Sequence, residues 1–158
     1  MTSLIKSIIN ENVLGKTVLI RADLNLPISN GEILDQSRVE RVTPTINFLK
    51  SSGAKIVICS HLGRPNGKYN KKYTLKPLVE ILSDVLETNV HFSDSCLGQE
   101  ALDIKKSLKA GEILLLENVR FHEEETNNSL SFAKKLSEGC DLFVNDAFSC
   151  SHRAHSSL

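Results

Sequence analysis

The chain has 158 residues, 41% of them apolar and 24% charged, which suits one soluble globular domain large enough to bury a hydrophobic core. Nineteen basic and nineteen acidic side chains cancel, excluding a global field for nucleic acid or anionic membrane. No run approaches the roughly 20 apolar residues that span a bilayer, and the opening MTSLIKSIINEN lacks the pattern of a secretory signal, so the cytosol is the expected compartment.

In chain order, Thr17–Ala22 (TVLIRA) is the first continuous apolar run, and Asn30-Gly31 then marks a turn. Val39, Val42, Ile46 and Leu49 recur at spacings of three and four, predicting a helix that Gly53 ends. Pro44 inside it predicts a kink, or a fresh start capped by Thr43. Lys55–Ser60 (KIVICS) is a second apolar run, and Leu75, Leu78, Val79, Leu82, Val85 and Leu86 form a second helical stripe. Val90–Phe92 is a candidate short strand. Weaker helices are expected over Gln99–Leu108 and Ser129–Glu138, each followed by a glycine, with the runs Ile113–Glu117 (ILLLE) and Leu142–Asn145 (LFVN) after them.

Continuous apolar runs suit strands buried on both faces, and their alternation with helices predicts an α/β doubly wound fold with a mainly parallel sheet and helices on both faces. Cys59, Cys96, Cys140 and Cys150 are widely spaced and form no C-x-x-C pair, so they read as reduced thiols.

Ligands of open parallel sheets bind beyond the carboxyl ends of the strands. After the first run stand Asp23, Asn25 and Pro27; after the second His61, Gly63, Arg64 and Pro65. Asn118 and Arg120 follow the run at 113–117, and Asp146, His152, Arg153 and His155 follow the last. Of only six arginines, Arg64, Arg120 and Arg153 lie just past strand ends, Arg21 lies within a strand and Arg38 opens the first helix. The planar guanidinium fork matches phosphate or carboxylate oxygens two at a time, so the set predicts a small, multiply charged anion. Taken singly, each residue has a plainer reading: a turn for Asp23 and Asn25, a structural hydrogen bond for His61, a surface ion pair for Arg120. Glu123–Glu125 reads as a solvated loop rather than an acid catalyst. No G-x-G-x-x-G follows the first run and no G-x-x-x-x-G-K-[ST] occurs, which disfavours dinucleotide and P-loop enzymes.

Four stretches, Arg21–Pro27 (RADLNLP), Ser60–Pro65 (SHLGRP), Leu115–Phe121 (LLENVRF) and Val144–Ser156 (VNDAFSCSHRAHS), resemble the signature runs of phosphoglycerate kinases, in family order and spacing. That resemblance implies one lobe of a two-lobe kinase running ATP + 3-phosphoglycerate ⇌ ADP + 1,3-bisphosphoglycerate. By motif, it implies that Asp23 and Asn25 meet the glycerate portion, with Leu24, Leu62 and Gly63 as further substrate-binding positions. Arg38 would face the carboxyl group and stabilise the phosphoryl group in flight, as the catalytic residue. His61, Arg64, Arg120 and Arg153 would hold the substrate's own phosphate. Ser149-Cys150-Ser151 departs from the Gly-Thr-Ala usual in the family.

The resemblance makes residues 1–158 a truncated N-terminal substrate-binding domain. The C-terminal nucleotide lobe, which takes ATP or ADP with Mg²⁺, lies beyond Leu158 as its intramolecular partner. The complete protein is expected to be a monomer, and the isolated chain to hold no cofactor or metal of its own and to transfer no phosphate. The alternative from the residues alone is a non-catalytic module that captures small phosphorylated anions.

Overall fold

Val18, Ile20, Ile56, Ile58, Ile113 and Leu115 point to one side of a sheet, and Leu19, Val57, Cys59, Leu114 and Leu116 to the other. Successive strand residues face opposite ways, so a strand covered on both faces must be apolar at every position. In the computed structural model, which describes residues 7–147 and 155–157, these runs are β1 (Thr17–Ala22), β4 (Lys55–Cys59) and β6 (Ile113–Leu116). With β5 (Val90–Ser93) and β7 (Leu142–Asp146) they form a five-stranded sheet in the order β5-β6-β4-β1-β7, every pairing parallel. Val18 stands opposite Ile56 on one side and Leu142 on the other. Between β1 and β4 lies a small hairpin, β2 (Ile28–Ser29) and β3 (Glu32–Ile33). Its turn residues Asn30 and Gly31 have φ of 51° and 79°, the type I′ geometry that the Asn-Gly pair predicts.

Parallel neighbours need crossover helices. Helix α1 (Ser37–Ser51) joins β3 to β4, α2 (Leu78–Leu86) precedes β5, and α3 (Gln99–Ser107) leads to β6. The one-turn helix α4 (Glu123–Thr126) and α5 (Leu130–Ser137) lead to β7. Helices α1 and α2 bury Val39, Val42, Ile46, Leu49, Leu78, Leu82 and Leu86 in the first core layer. Helices α3 and α5 bury Ala101, Phe132 and Leu136 in the second. Each fully buried Ile or Leu contributes about 1.5–3 kcal/mol, so the two layers hold the sheet rigid between them.

Three expectations need correction. Helix α1 does not restart at Pro44: it runs from Ser37 to Ser51, and the Thr43 hydroxyl donates to the Val39 carbonyl at 2.8 Å instead of capping a new helix. The missing proline N–H deprives only the Glu40 carbonyl of its helical partner, while buried Val42 and Ile46 hold the flanking turns on the sheet. Leu75 is buried but precedes α2, whose first residue donates its N–H to the Leu75 carbonyl at 2.9 Å. Glu123–Glu125 is no solvated loop. It is the first part of α4, and Glu125 is wholly buried.

Candidate functional site

The carboxyl edge of the sheet is assembled by loops that bond to one another. From the loop after β1, Leu24 donates its N–H to Ser60 Oγ at 3.0 Å, and Asn25 Oδ1 accepts the Gly63 N–H at 2.9 Å. Asn118, at the end of β6, donates through Nδ2 to the carbonyls of Leu62 (2.8 Å) and Tyr73 (2.9 Å). Its Oδ1 accepts the Arg120 N–H at 3.0 Å, and Arg120 Nη1 donates to the Gly63 carbonyl at 3.1 Å. Three strand ends are therefore tied through Gly63. This glycine has φ of 61°, and a Cβ added there would lie 2.3 Å from Tyr73 Cε1, so both conformation and space require glycine.

Arg64 and Arg120 come together as predicted. With Pro65, Asn66, Thr126 and His155 they line a cleft of 220 Å³. Arg64 is exposed while Arg120 is only 8% exposed, so one guanidinium faces water and the other is set into the wall. A larger cavity of 380 Å³ lies between the loop after β5, α3 and the end of α5. Its buried cation, Lys105, already donates to the Leu136 and Glu138 carbonyls at 2.8 and 3.0 Å, so the basic cleft is the better anion seat.

Arg38 sits in the first turn of α1, ion-paired with Asp23. A cation at a helix N-terminus opposes the helix dipole, and the Asp23 carboxylate offsets that cost while fixing the fork. Asp35 covers the same helix end by accepting the Ser37 N–H at 2.9 Å, a bond that holds its carboxyl below the usual carboxylate range. Leu24 (0% exposed) and Leu62 (5%) are packed into the core, leaving their backbone groups as the parts that face the loops. Arg153, together with His152, Cys150 and the Ser149-Cys150-Ser151 departure, lies outside the described residues. Of the other thiols, Cys59 and Cys96 are buried, and burial pushes Cys59 up to about 12, so it is no nucleophile.

His61 is not on the cleft wall. It is 3% exposed, and its Nδ1 lies 2.7 Å from Nη2 of Arg21, which is itself wholly buried. Arg21 also donates through Nη1 to the Ala22 carbonyl at 2.7 Å and through Nε to Ser157 Oγ at 2.8 Å. The Ser157 hydroxyl donates in turn to Glu125 Oε1. Burial pushes the Glu125 carboxyl above its ordinary value, against the opposing pull of Ser157, Arg21 and Arg120. Glu125 and Ser157 escaped the sequence reading, because a run of three glutamates looks solvated whichever one turns inward.

Fold and edge define a class: a doubly wound α/β domain with a basic cleft beyond the carboxyl ends of its strands. Known proteins narrow that class. The family model described as phosphoglycerate kinase matches residues 8–158. A phosphoglycerate kinase of Leptospira biflexa is 48% identical over 147 residues, covering 93% of this chain and 37% of the relative. One from Borreliella burgdorferi is 50% identical over 143 residues, covering 90% and 36%. Among solved structures, phosphoglycerate kinase from Coxiella burnetii superposes with a TM-score of 0.84 at 39% identity, covering 95% of this chain and 37% of that one. The Pyrococcus horikoshii enzyme gives 0.86 at 39% identity, with coverage of 96% and 38%. The chain belongs to the phosphoglycerate kinase family and corresponds to the N-terminal part of its members. It spans little more than a third of the length of these relatives. Nothing in the comparisons supports the non-catalytic module.

Proposed function

We propose that this chain is the acidic-substrate lobe of an enzyme running ATP + 3-phosphoglycerate ⇌ ADP + 1,3-bisphosphoglycerate. The observation that carries the reading is the pairing of Arg64 and Arg120 in one cleft at the carboxyl edge, in a chain of this family. The substrate's non-transferring phosphate lies there, with Arg153 as a further ligand. Asp23 and Asn25, with the backbone of Leu24, Leu62 and Gly63, meet the glycerate portion. Arg38 faces the carboxyl group that receives the phosphoryl group. Phosphoryl transfer asks a protein mainly for positioning and charge stabilisation. A guanidinium pre-aligned by Asp23 needs little reorganisation as negative charge spreads over the transferring oxygens.

ATP or ADP and Mg²⁺ belong to the nucleotide lobe, the partner of this one in the complete protein. Among the described residues no group of three or more His, Cys, Asp or Glu is placed to hold a metal ion. No helix of the described residues is long and apolar enough to cross a membrane. The whole enzyme is proposed to act as a cytoplasmic monomer, binding neither nucleic acid nor membrane.

Calorimetry of this chain with 3-phosphoglycerate and with Mg·ATP separately tests the assignment. Weak binding of the first is expected, because an open cleft leaves its charges screened by water until a second lobe closes. No binding of Mg·ATP and no turnover are expected. Tight Mg·ATP binding by this chain alone would mean that the wrong ligand has been put at the strand ends.

A further inference from the structure

We infer that Arg21, Ser157 and Glu125 form a buried positioning relay that fixes the tautomer of His61 and seats His155 in the cleft. A guanidinium has donors and no acceptor. The 2.7 Å contact between Arg21 Nη2 and His61 Nδ1 is therefore a bond in which Nδ1 accepts, which places the ring proton on Nε2. Only one donor of the fork does this work. The Ala22 carbonyl and Ser157 Oγ take two others, so Arg21 is held at three points and cannot turn without breaking all three bonds. Ser157 accepts from Arg21 and donates to Glu125, so its hydroxyl is oriented by a donor on one side and an acceptor on the other. The four side chains lie in one unbroken row of hydrogen bonds, and Arg21, Glu125, Ser157 and His61 are all at most 3% exposed.

The same relay grips the backbone next to His155. Ser156 donates its N–H to the Glu125 carbonyl at 2.9 Å and its hydroxyl to the Glu124 carbonyl at 2.7 Å. Helix α4 thus holds residues 156 and 157 by main chain and side chain together, and the residue just before them lines the cleft beside Arg64 and Arg120. Arg21 and Glu125 are 104 positions apart in sequence (125 − 21), and neither lines the cleft. Their role is indirect: a buried guanidinium and a buried carboxyl group, bridged by one serine, give the basic edge a fixed hydrogen-bond order. The consequence for ligand binding rests on the proposed function, whereas the tautomer does not.

The test uses the full chain with ¹⁵N-labelled histidine. The ring nitrogen shifts of His61 are expected to show a protonated Nε2 and an unprotonated Nδ1. Ser157→Ala should let the ring exchange between tautomers, and Ser157→Thr, which keeps the hydroxyl, should restore the single form. Binding of 3-phosphoglycerate should weaken roughly fivefold in Ser157→Ala, the size of one lost hydrogen bond. A protonated Nδ1 in the unsubstituted chain overturns the relay, and that measurement needs no variant to fold. A single Nε2-protonated form that survives in folded Ser157→Ala also overturns it. If the tautomer responds as stated but 3-phosphoglycerate does not bind the unsubstituted chain, the relay stands and the ligand assignment falls.

Discussion

Gly63→Ala separates two physical reasons for a glycine at the point where three loops meet. The residue has φ of 61°, in the left-handed region where a Cβ costs roughly 1–2 kcal/mol. The new methyl would also stand 2.3 and 2.4 Å from Cε1 and Cδ1 of Tyr73, far inside van der Waals contact. The half-buried Tyr73 ring can retreat toward solvent, though its carbonyl is tied to Asn118 Nδ2. Overpacking of this kind costs typically 1–3 kcal/mol, so the whole substitution should cost about 2–5 kcal/mol. For a domain of this size that lowers the midpoint of thermal unfolding by roughly 5–15 °C. Thermal and urea unfolding followed by circular dichroism would read it. The double variant with Tyr73→Ala, measured against Tyr73→Ala alone, removes the collision and should retain the backbone cost of roughly 1–2 kcal/mol. A Gly63→Ala chain as stable as the parent would refute the reasoning, and so would a double variant no weaker than Tyr73→Ala.

In the complete enzyme, Arg38→Ala should lower kcat far more than it raises KM. Arg64→Ala or Arg120→Ala should chiefly raise KM, because the non-transferring phosphate is held alike before and during reaction; steady-state kinetics showing the reverse split would sink the division of roles. Glu125 should also leave a pH signature in stability. Its folded value is raised by burial, so between the ordinary 4.5 and that raised value the folded state holds more protons than the unfolded one. Stability from this group is present below 4.5 and falls as pH rises through the window. Glu125→Gln should flatten that part of a urea-midpoint profile, and an unchanged slope would show the carboxyl to be better solvated than its burial implies.

Much of this was readable from residues. The apolar runs became the parallel strands because both faces of the sheet are covered, and a strand such as β4, buried at Ile56 through Cys59, leaves no polar alternation to confuse. The Asn30-Gly31 pair announced its turn because few other residues accept positive φ twice in succession. The meeting of Arg64 and Arg120 followed from the rule that strand ends converge. What stayed hidden depends on distant partners. Arg21 looks like one polar residue in an apolar run until Ser157, 136 positions later, proves to be its partner. Glu125 differs from Glu123 and Glu124 only in facing inward, which no local pattern records. Pro44 breaks isolated helices, yet here tertiary packing on both sides of it outweighs one missing bond.

The sheet order also sets a timetable for synthesis. Strand β1 lies in the interior of the sheet, but the residues that cover its outer edge are far downstream: Thr17 bonds to Asp141 across 124 positions. At roughly 5–20 residues per second, a ribosome takes about 6–25 s to deliver them. The β4 side of β1 is made much sooner, once α1 has emerged. During the interval the nascent sheet carries a bare edge of unpaired amides and carbonyls along a strand that is buried at every position in the finished fold, the feature that invites pairing with another chain. The structure thus assigns the vulnerable moment in the life of this domain to the wait for β7, when a chaperone has most to cover.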